Sequence, residues 1–301
     1  MTKFVLEARG LTKKQEGNLV LNDVHFHLSK GESVAFLGDD ASANKTLLEV
    51  LSTMRPADKG DLFINGLNTS YELKRTKMNL GYLSTCFDNE ISLLSNLDIY
   101  SRLYDIPKKQ IENRISELLR IYDLEEYMGN SPKDLSRINQ FKLAFVRIKI
   151  INPDIVFYEE DFSAYNDEEL VEVFELIENI KQESALLMTT KSPVYAYKIA
   201  DKVAIFTNAK IYEYDDASDL SELANDVIEF KFREDEVDYF ISKLPKSYEY
   251  HLLNDRFYLF IKDSSNIQSL LSLIHSDEVL IRKPDIRDLL IRHKSREEVD
   301  L

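Results

Sequence analysis

The chain has 301 residues, 44% of them apolar and 30% charged, with acids exceeding bases by 15. That apolar share supports a real core and argues against global disorder. The acidic balance argues against nucleic-acid binding, which needs clustered Lys and Arg on the phosphate backbone. One cysteine, Cys86, leaves no disulfide framework within the chain and fits a reducing compartment. The first ten residues lack the apolar run of a signal peptide, and no stretch of 18 residues is apolar enough to span a bilayer. The expectation is a soluble, cytoplasmic protein able to dock on a membrane protein. Eight glycines in 301 residues is under half the usual share of roughly 7%.

In chain order, the pattern predicts strands over 3–8 and 18–28, with Gly17 marking the turn between them. Residues 32–37 form an apolar strand leading through a loop at Gly38 into a leucine-faced helix. Short strands follow at 61–66 and 79–83. Residues 89–130 carry helical spacing, interrupted at Pro107 and ended by Gly129 and Pro132. A helix is expected over 139–151, stopped by Pro153, and then the continuous apolar run Ile155-Val156-Phe157-Tyr158 of a central parallel strand. Helices at 167–181 and 194–200 alternate with strands at 185–189, 202–206 and 210–213, which implies a parallel α/β sheet. Residues 215–226 read as a linker. Strand 227–232, helix 235–243, strands 247–252 and 256–262, helix 265–275, strand 278–282 and a short helix 285–292 then give the split βαββαβ order of a ferredoxin-like unit. The expected division is 1–218, with a helical insertion at about 86–138, and 219–301.

The strand–loop–helix at 32–51 has the layout of a phosphate-binding P-loop, G-x-x-x-x-G-K-[ST]. Gly38 takes the first glycine, Ala43 the second, Asn44 the lysine and Lys45 the magnesium-binding hydroxyl. A slip of one residue would put Lys45 and Thr46 in the last two roles, at the cost of about 100° of helix rotation. Further landmarks follow in order: Gly81-Tyr82-Leu83-Ser84-Thr85 after a strand, Leu135-Ser136-Arg137-Ile138-Asn139 opening a helix, Glu159-Glu160 ending the apolar strand, and Thr189-Thr190-Lys191 ending the next. Together with the turn Pro56–Asp61, these resemble the nucleotide-binding subunit of an ABC transporter over residues 2–215. The tail 279–290 resembles the last segment of ABC-2 exporter ATPases of the daunorubicin-resistance type.

That resemblance implies a P-loop NTPase-like α/β core with a helical insertion, plus a small α+β ferredoxin-like domain. It implies ATP and magnesium held between two such subunits, in a homodimer or heterodimer. It also implies transmembrane exporter subunits as partners, at the inner face of the membrane. Glu159 stands at the magnesium-linked Asp and Glu160 at the general base. Two solvated acids closing a strand are the plain alternative. Lys191 replaces the switch histidine, Thr85 the coupling-loop glutamine, and Arg137 and Ile138 the signature glycines, with Ser136 retained either for phosphate or as a helix N-cap. Ala41 and Ala43 would each cost about 1–2 kcal/mol if held left-handed. Asp39 and Asp40 place carboxylates where phosphate would sit. So many changes at positions serving one reaction lead to the expectation of a catalytically inactive, ABC-like subunit with a structural or regulatory role. Two alternatives stand beside it. One is a working ATPase powering ABC-2 export of a drug, peptide or lipid; the other is a soluble regulatory protein.

Overall fold

The computed structural model describes residues 4–38, 40–104, 106–214, 226–232, 234–245, 248–253, 255–263, 267–274, 276, 278–284, 287–288 and 291. The chain divides into two compact units, Met1–Tyr212 and Glu213–Leu301. The expected linker and the boundary at 218/219 lie outside the described residues.

The first unit opens with β1 (Phe4–Gln15), β2 (Asn18–Ser29), β3 (Ser33–Leu37), α1 (Ala41–Leu51), β4 (Lys59–Ile64), β5 (Leu67–Asn68), α2 (Leu73–Lys77) and β6 (Leu80–Leu83). It continues with α3 (Leu93–Leu103), α4 (Lys108–Ile121), α5 (Arg137–Ile151), β7 (Ile155–Glu159), α6 (Asp167–Glu183), β8 (Ala185–Thr190), α7 (Pro193–Ile199), β9 (Lys202–Thr207) and β10 (Lys210–Tyr214). β1 extends well past the expected 3–8 because its register shifts between Ala8 and Leu11. Such a bulge breaks the period-2 pattern that marks a strand in sequence. The hairpin turn places Glu16 at φ 51° and Gly17 at φ 85°, as the tight turns matching strand twist require.

Two sheets result, ordered β2-β1-β4-β5 and β10-β9-β3-β8-β7-β6. In the second, β9, β3, β8, β7 and β6 run parallel to one another. Every residue of β3 and β8 is buried, as are Ile155 to Tyr158 of β7. Helices on both faces explain why these strands are buried throughout and carry continuous apolar runs rather than an alternating pattern. Leu47, Leu48, Val50 and Leu51 lay α1 onto this core. Phe26 and Phe36 meet edge to face at 4.9 Å within it, as core rings. The insertion has its own core of Leu93, Leu97, Ile111, Ile115, Leu119 and Leu143 among others, drawn from α3, α4 and α5. α5 ends where Asn152 turns left-handed at φ 47°, just before Pro153. Gly81 lets α5 close on β6, since a Cβ there would lie 2.8 Å from both Ile148 Cδ1 and Pro153 Cγ.

The second unit contains β11 (Asp226–Lys231), α8 (Glu234–Lys243), β12 (Glu249–Leu253), β13 (Arg256–Ile261), α9 (Ile267–Leu271) and β14 (Val279–Arg282). Its sheet is ordered β12-β13-β11-β14, with antiparallel neighbours throughout. Phe230 stacks on Phe257 at 5.0 Å, and Phe240 of α8 meets both rings edge-on. The helix expected over 265–275 is shorter, and the one expected over 285–292 lies largely outside the described residues.

Candidate functional site

Parallel strands bring their carboxyl ends to one side of the sheet, where open α/β sheets take ligands. Gly38 after β3, Glu159 ending β7 and Thr190 ending β8 gather there. Three cavities open around them. One of about 410 Å³ is lined by Asn44, Glu159, Glu160, Asp161, Thr190 and Lys191 among others. A second, of about 340 Å³, shares the three acids and adds Thr85, Tyr82 and Tyr165. Burial raises the Tyr82 hydroxyl, aided by the Glu159 charge, and pushes Tyr165 up to about 12. The third, of about 490 Å³, is lined by Lys45, Glu49, Tyr82, Arg147 and Glu159 among others. Leu135, Ser136, Arg137, Ile138 and Asn139 line none of these three.

The loop after β3 is short. Asp39 lies outside the described residues, and α1 already starts at Ala41. Asp40 caps the helix, its carboxylate accepting the N–H groups of Ser42 at 2.9 Å and Ala43 at 3.1 Å. Ala41 and Ala43 are helical, so the left-handed strain expected of them is absent. Asn44 is buried and donates its amide N–H to the Gly38 carbonyl at 2.8 Å, while its own oxygen has no hydrogen-bond partner among the described residues. A Cβ at Gly38 would lie 2.4 Å from that oxygen and 2.6 Å from the Phe206 carbonyl. Gly38 therefore makes room for a side-chain amide. Lys45 is exposed and lines the third cavity, not the one holding Asn44 and Glu160. The Thr46 hydroxyl, which the slipped register would place at the metal, is buried and donates to Gln15 Oε1 at 2.8 Å.

Glu160 is half-buried and both its oxygens are engaged. One accepts the Phe162 N–H and the other accepts the Thr190 hydroxyl at 2.8 Å. Thr190 in turn accepts the Ser192 N–H at 2.9 Å. Behind this turn Phe162 is fully buried, with ring contacts to Tyr158, Phe174 and Tyr195. Lys191 is exposed at the mouth. Ser136 caps α5 through the Asn139 N–H at 3.3 Å, and Leu135 packs into the insertion core. Arg137 is exposed, and Ile138 and Asn139 are half-buried.

Two contributors had weak sequence signals. Arg147 was hidden among the apolar residues of α5. Its guanidinium donates to the carbonyls of Tyr82, Ser84 and Cys86, lies 4.7 Å from the Phe87 ring and fixes the loop bearing Thr85. Burial lowers its pKa, and its one signal was a lone cation inside an apolar helix. Thr190 read only as the end of a strand.

Residues 21–163 match the family model described as ABC transporter. The methionine import ATP-binding protein MetN 1 of Shouchella clausii is 27% identical over 221 residues, covering 69% of this chain and 64% of that protein. The spermidine/putrescine import ATP-binding protein PotA of Haemophilus influenzae is 23% identical over 219 residues, covering 69% of this chain and 57% of that protein. The chain thus spans under two thirds of either relative's length. A solved ATP-binding subunit of an ABC transporter superposes with a TM-score of 0.64 at 21% identity, covering 72% of this chain and 92% of its own. The dimeric bacterial ABC transporter cassette MJ0796 gives 0.61 at 17% identity, covering 70% and 98%. The first unit of this chain thus has the fold of ABC ATP-binding subunits, and residues 21–163 within it are similar to the ABC transporter family.

Proposed function

We propose that this chain is a catalytically inactive ABC subunit that docks on transmembrane subunits and serves them structurally or as a regulator. One observation carries this reading: the Asp40 carboxylate already occupies the N-terminal N–H groups of α1. A P-loop needs those groups, a lysine ammonium and a metal-binding hydroxyl for the phosphates. Here the helix is capped by an anion, the lysine position holds the buried amide of Asn44, and the hydroxyl position holds Lys45, turned to another cavity. A phosphate at that helix end would meet Asp40 at hydrogen-bond range. At about 4 Å and an effective dielectric of about 20 such a repulsion is roughly 4 kcal/mol, less with solvent screening. These residues do not fit a nucleoside triphosphate with magnesium, so no hydrolytic step is derived.

The proposed partners are the membrane subunits of an ABC transporter and a second nucleotide-binding unit, at the inner face of the membrane. The tail 279–290 supports an ABC-2 exporter as the complex. The relatives are named as import proteins, but their matches span only about 220 residues, so they leave much of this chain uncompared. The test is thermal unfolding with 1 mM ATP, with and without magnesium. A site with a Kd of about 10 μM would add about 2.7 kcal/mol at that concentration, and no shift is expected. A shift abolished by Glu160→Gln would sink the proposal. Co-purification with membrane subunits checks the docking role.

The second reading, a working ATPase, is favoured by the two carboxylates at the end of β7, Glu159 and Glu160. Steady ATP hydrolysis lost in Glu160→Gln would establish it.

A further inference from the structure

The helix-covered face of the second unit's sheet is not closed over its whole length. A cavity of about 360 Å³ opens beside the end of β11. Its floor is the ring cluster of Phe230, Phe240 and Phe257, each at most 6% exposed. Val237 of α8 and Leu273 and Ile274, which follow α9, form half-buried walls. Tyr239, 60% exposed, stands at the rim. Ser276 adds a hydroxyl that already accepts the Glu278 N–H at 3.3 Å. Lys231 is the one charged residue among the described lining residues. It follows Phe230 on β11, so strand alternation turns its side chain toward the other face. Its ammonium is paired with Asp255 at 3.0 Å, and the pair carries no net charge. The hollow therefore offers rings, aliphatic carbons and two hydroxyls, without net charge.

We propose that the second unit binds a small, uncharged aromatic molecule in this cavity. Its volume lies at the low end of small-molecule pockets, about 300–1,000 Å³, which are likewise lined mainly by apolar and aromatic side chains. An apolar cavity of about 150 Å³ already holds benzene, so roughly two rings fit here. Ring chemistry is set by the floor. Phe230 and Phe257 stack at 5.0 Å, and Phe240 stands edge-on to them at 5.1 and 5.0 Å. Aromatic groups favour these offset and edge-to-face arrangements, and a flat ligand extends the same array into the hollow. Neutrality is set by the walls. A charged ligand would lose hydration there and gain no unpaired opposite charge in return. A peptide segment fits less well, because its backbone N–H and C=O groups would find only two hydroxyls to satisfy them.

The test uses the full chain and N-phenyl-1-naphthylamine, a neutral aromatic probe whose fluorescence rises in apolar surroundings. Titration should saturate at one probe per chain. The anion 1-anilinonaphthalene-8-sulfonate has the same rings plus a sulfonate, and should bind at least tenfold more weakly. Val237→Trp and Ile274→Trp fill the cavity, and each should weaken the neutral probe at least tenfold. Leu280 pairs with Glu229, next to Phe230, and so lies on the opposite face of the sheet; Leu280→Trp should leave binding unchanged. Melting curves check that each variant is folded. Should a filling variant fail to fold, Tyr239→Ala removes only an exposed rim ring and should still weaken binding at least threefold. The absence of saturable binding would overturn the proposal, as would equal or tighter binding of the sulfonate. So would a probe affinity unmoved in the folded cavity variants. None of these outcomes touches the nucleotide reading, which rests on the first unit.

Discussion

The two ends of the central sheet differ. At the amino end, polar groups are paired. Ser33 donates its N–H at 2.9 Å and its hydroxyl at 2.6 Å to Asp201, and accepts the Asp201 N–H at 2.9 Å. Glu32 accepts the Ser29 N–H at 2.7 Å and pairs with Lys202 at 3.0 Å. At the carboxyl end, Glu159, Asp161 and Lys191 face open cavities, and the Asn44 oxygen is buried without a partner among the described residues. One end closes the fold; the other is where a nucleotide enzyme keeps its chemistry. What remains ordered at the carboxyl end is packing: the Asp40 cap, the Gly38–Asn44 contact and the rings around Phe162.

If that division is right, stability at the carboxyl end should follow its rings and close contacts, not its acids. Phe162→Ala should be the most damaging change, destabilising by about 3–5 kcal/mol in urea unfolding, the usual range for a buried phenylalanine. Gly38→Ala comes next. The new methyl would meet the Phe206 backbone carbonyl, which cannot swing aside, so a loss of about 1–3 kcal/mol is expected from overpacking. Ser33→Ala, at the opposite end, should cost about 1–2 kcal/mol, because it strips one hydrogen bond from the Asp201 carboxylate and removes the acceptor of the Asp201 N–H. Removing the cap in Asp40→Ala should cost about 1 kcal/mol. The decisive contrast is with Glu160→Gln, which keeps the side chain's shape and should stay below the other four. A Glu160→Gln loss as large as that of Phe162→Ala would mean the acid, not the ring, organises this end.

Much of this architecture was legible in the sequence because burial leaves a periodic mark. The runs 34–37, 155–158 and 185–188 are apolar because they are covered on both faces, and the helix-spaced leucines of 93–119 mark the insertion core. The full length of β1 was not legible, because a register shift near Gly10 erases alternation. At the site, the residue types at each position were legible, but their directions were not. Nothing in the order Gly38-Asp39-Asp40-Ala41 says whether the chain stays a loop or begins its helix early. That depends on Asp40 turning back to Ser42 and Ala43, a cap whose signal competes with the motif laid over it. Nor does sequence distinguish a glycine that admits phosphate from one that admits an amide.

The smallest expected effect is a pH dependence that belongs to the amino end. Burial pulls Asp201 upward, but the Ser33 hydroxyl and N–H and the Lys181 charge outweigh it, so its folded pKa lies below its ordinary value. Burial also works on Glu32, and the Ser29 N–H and Lys202 reverse it in the same way. Both groups are therefore easier to ionise in the folded chain than in the unfolded one. Their contribution is complete above the unfolded values of about 4 and is lost as pH falls through the lower folded values. Urea midpoints should be flat from pH 7 to about 5 on account of these two groups, then decline towards about pH 3. Both carboxylates are partly open to solvent, which screens the loss. In Asp201→Asn the decline should be shallower, because one of the two linked groups no longer titrates. If Asp201→Asn instead leaves the acid slope unchanged while Glu159→Gln flattens it, the linkage lies at the carboxyl end, and the two ends of the sheet have been assigned the wrong way round.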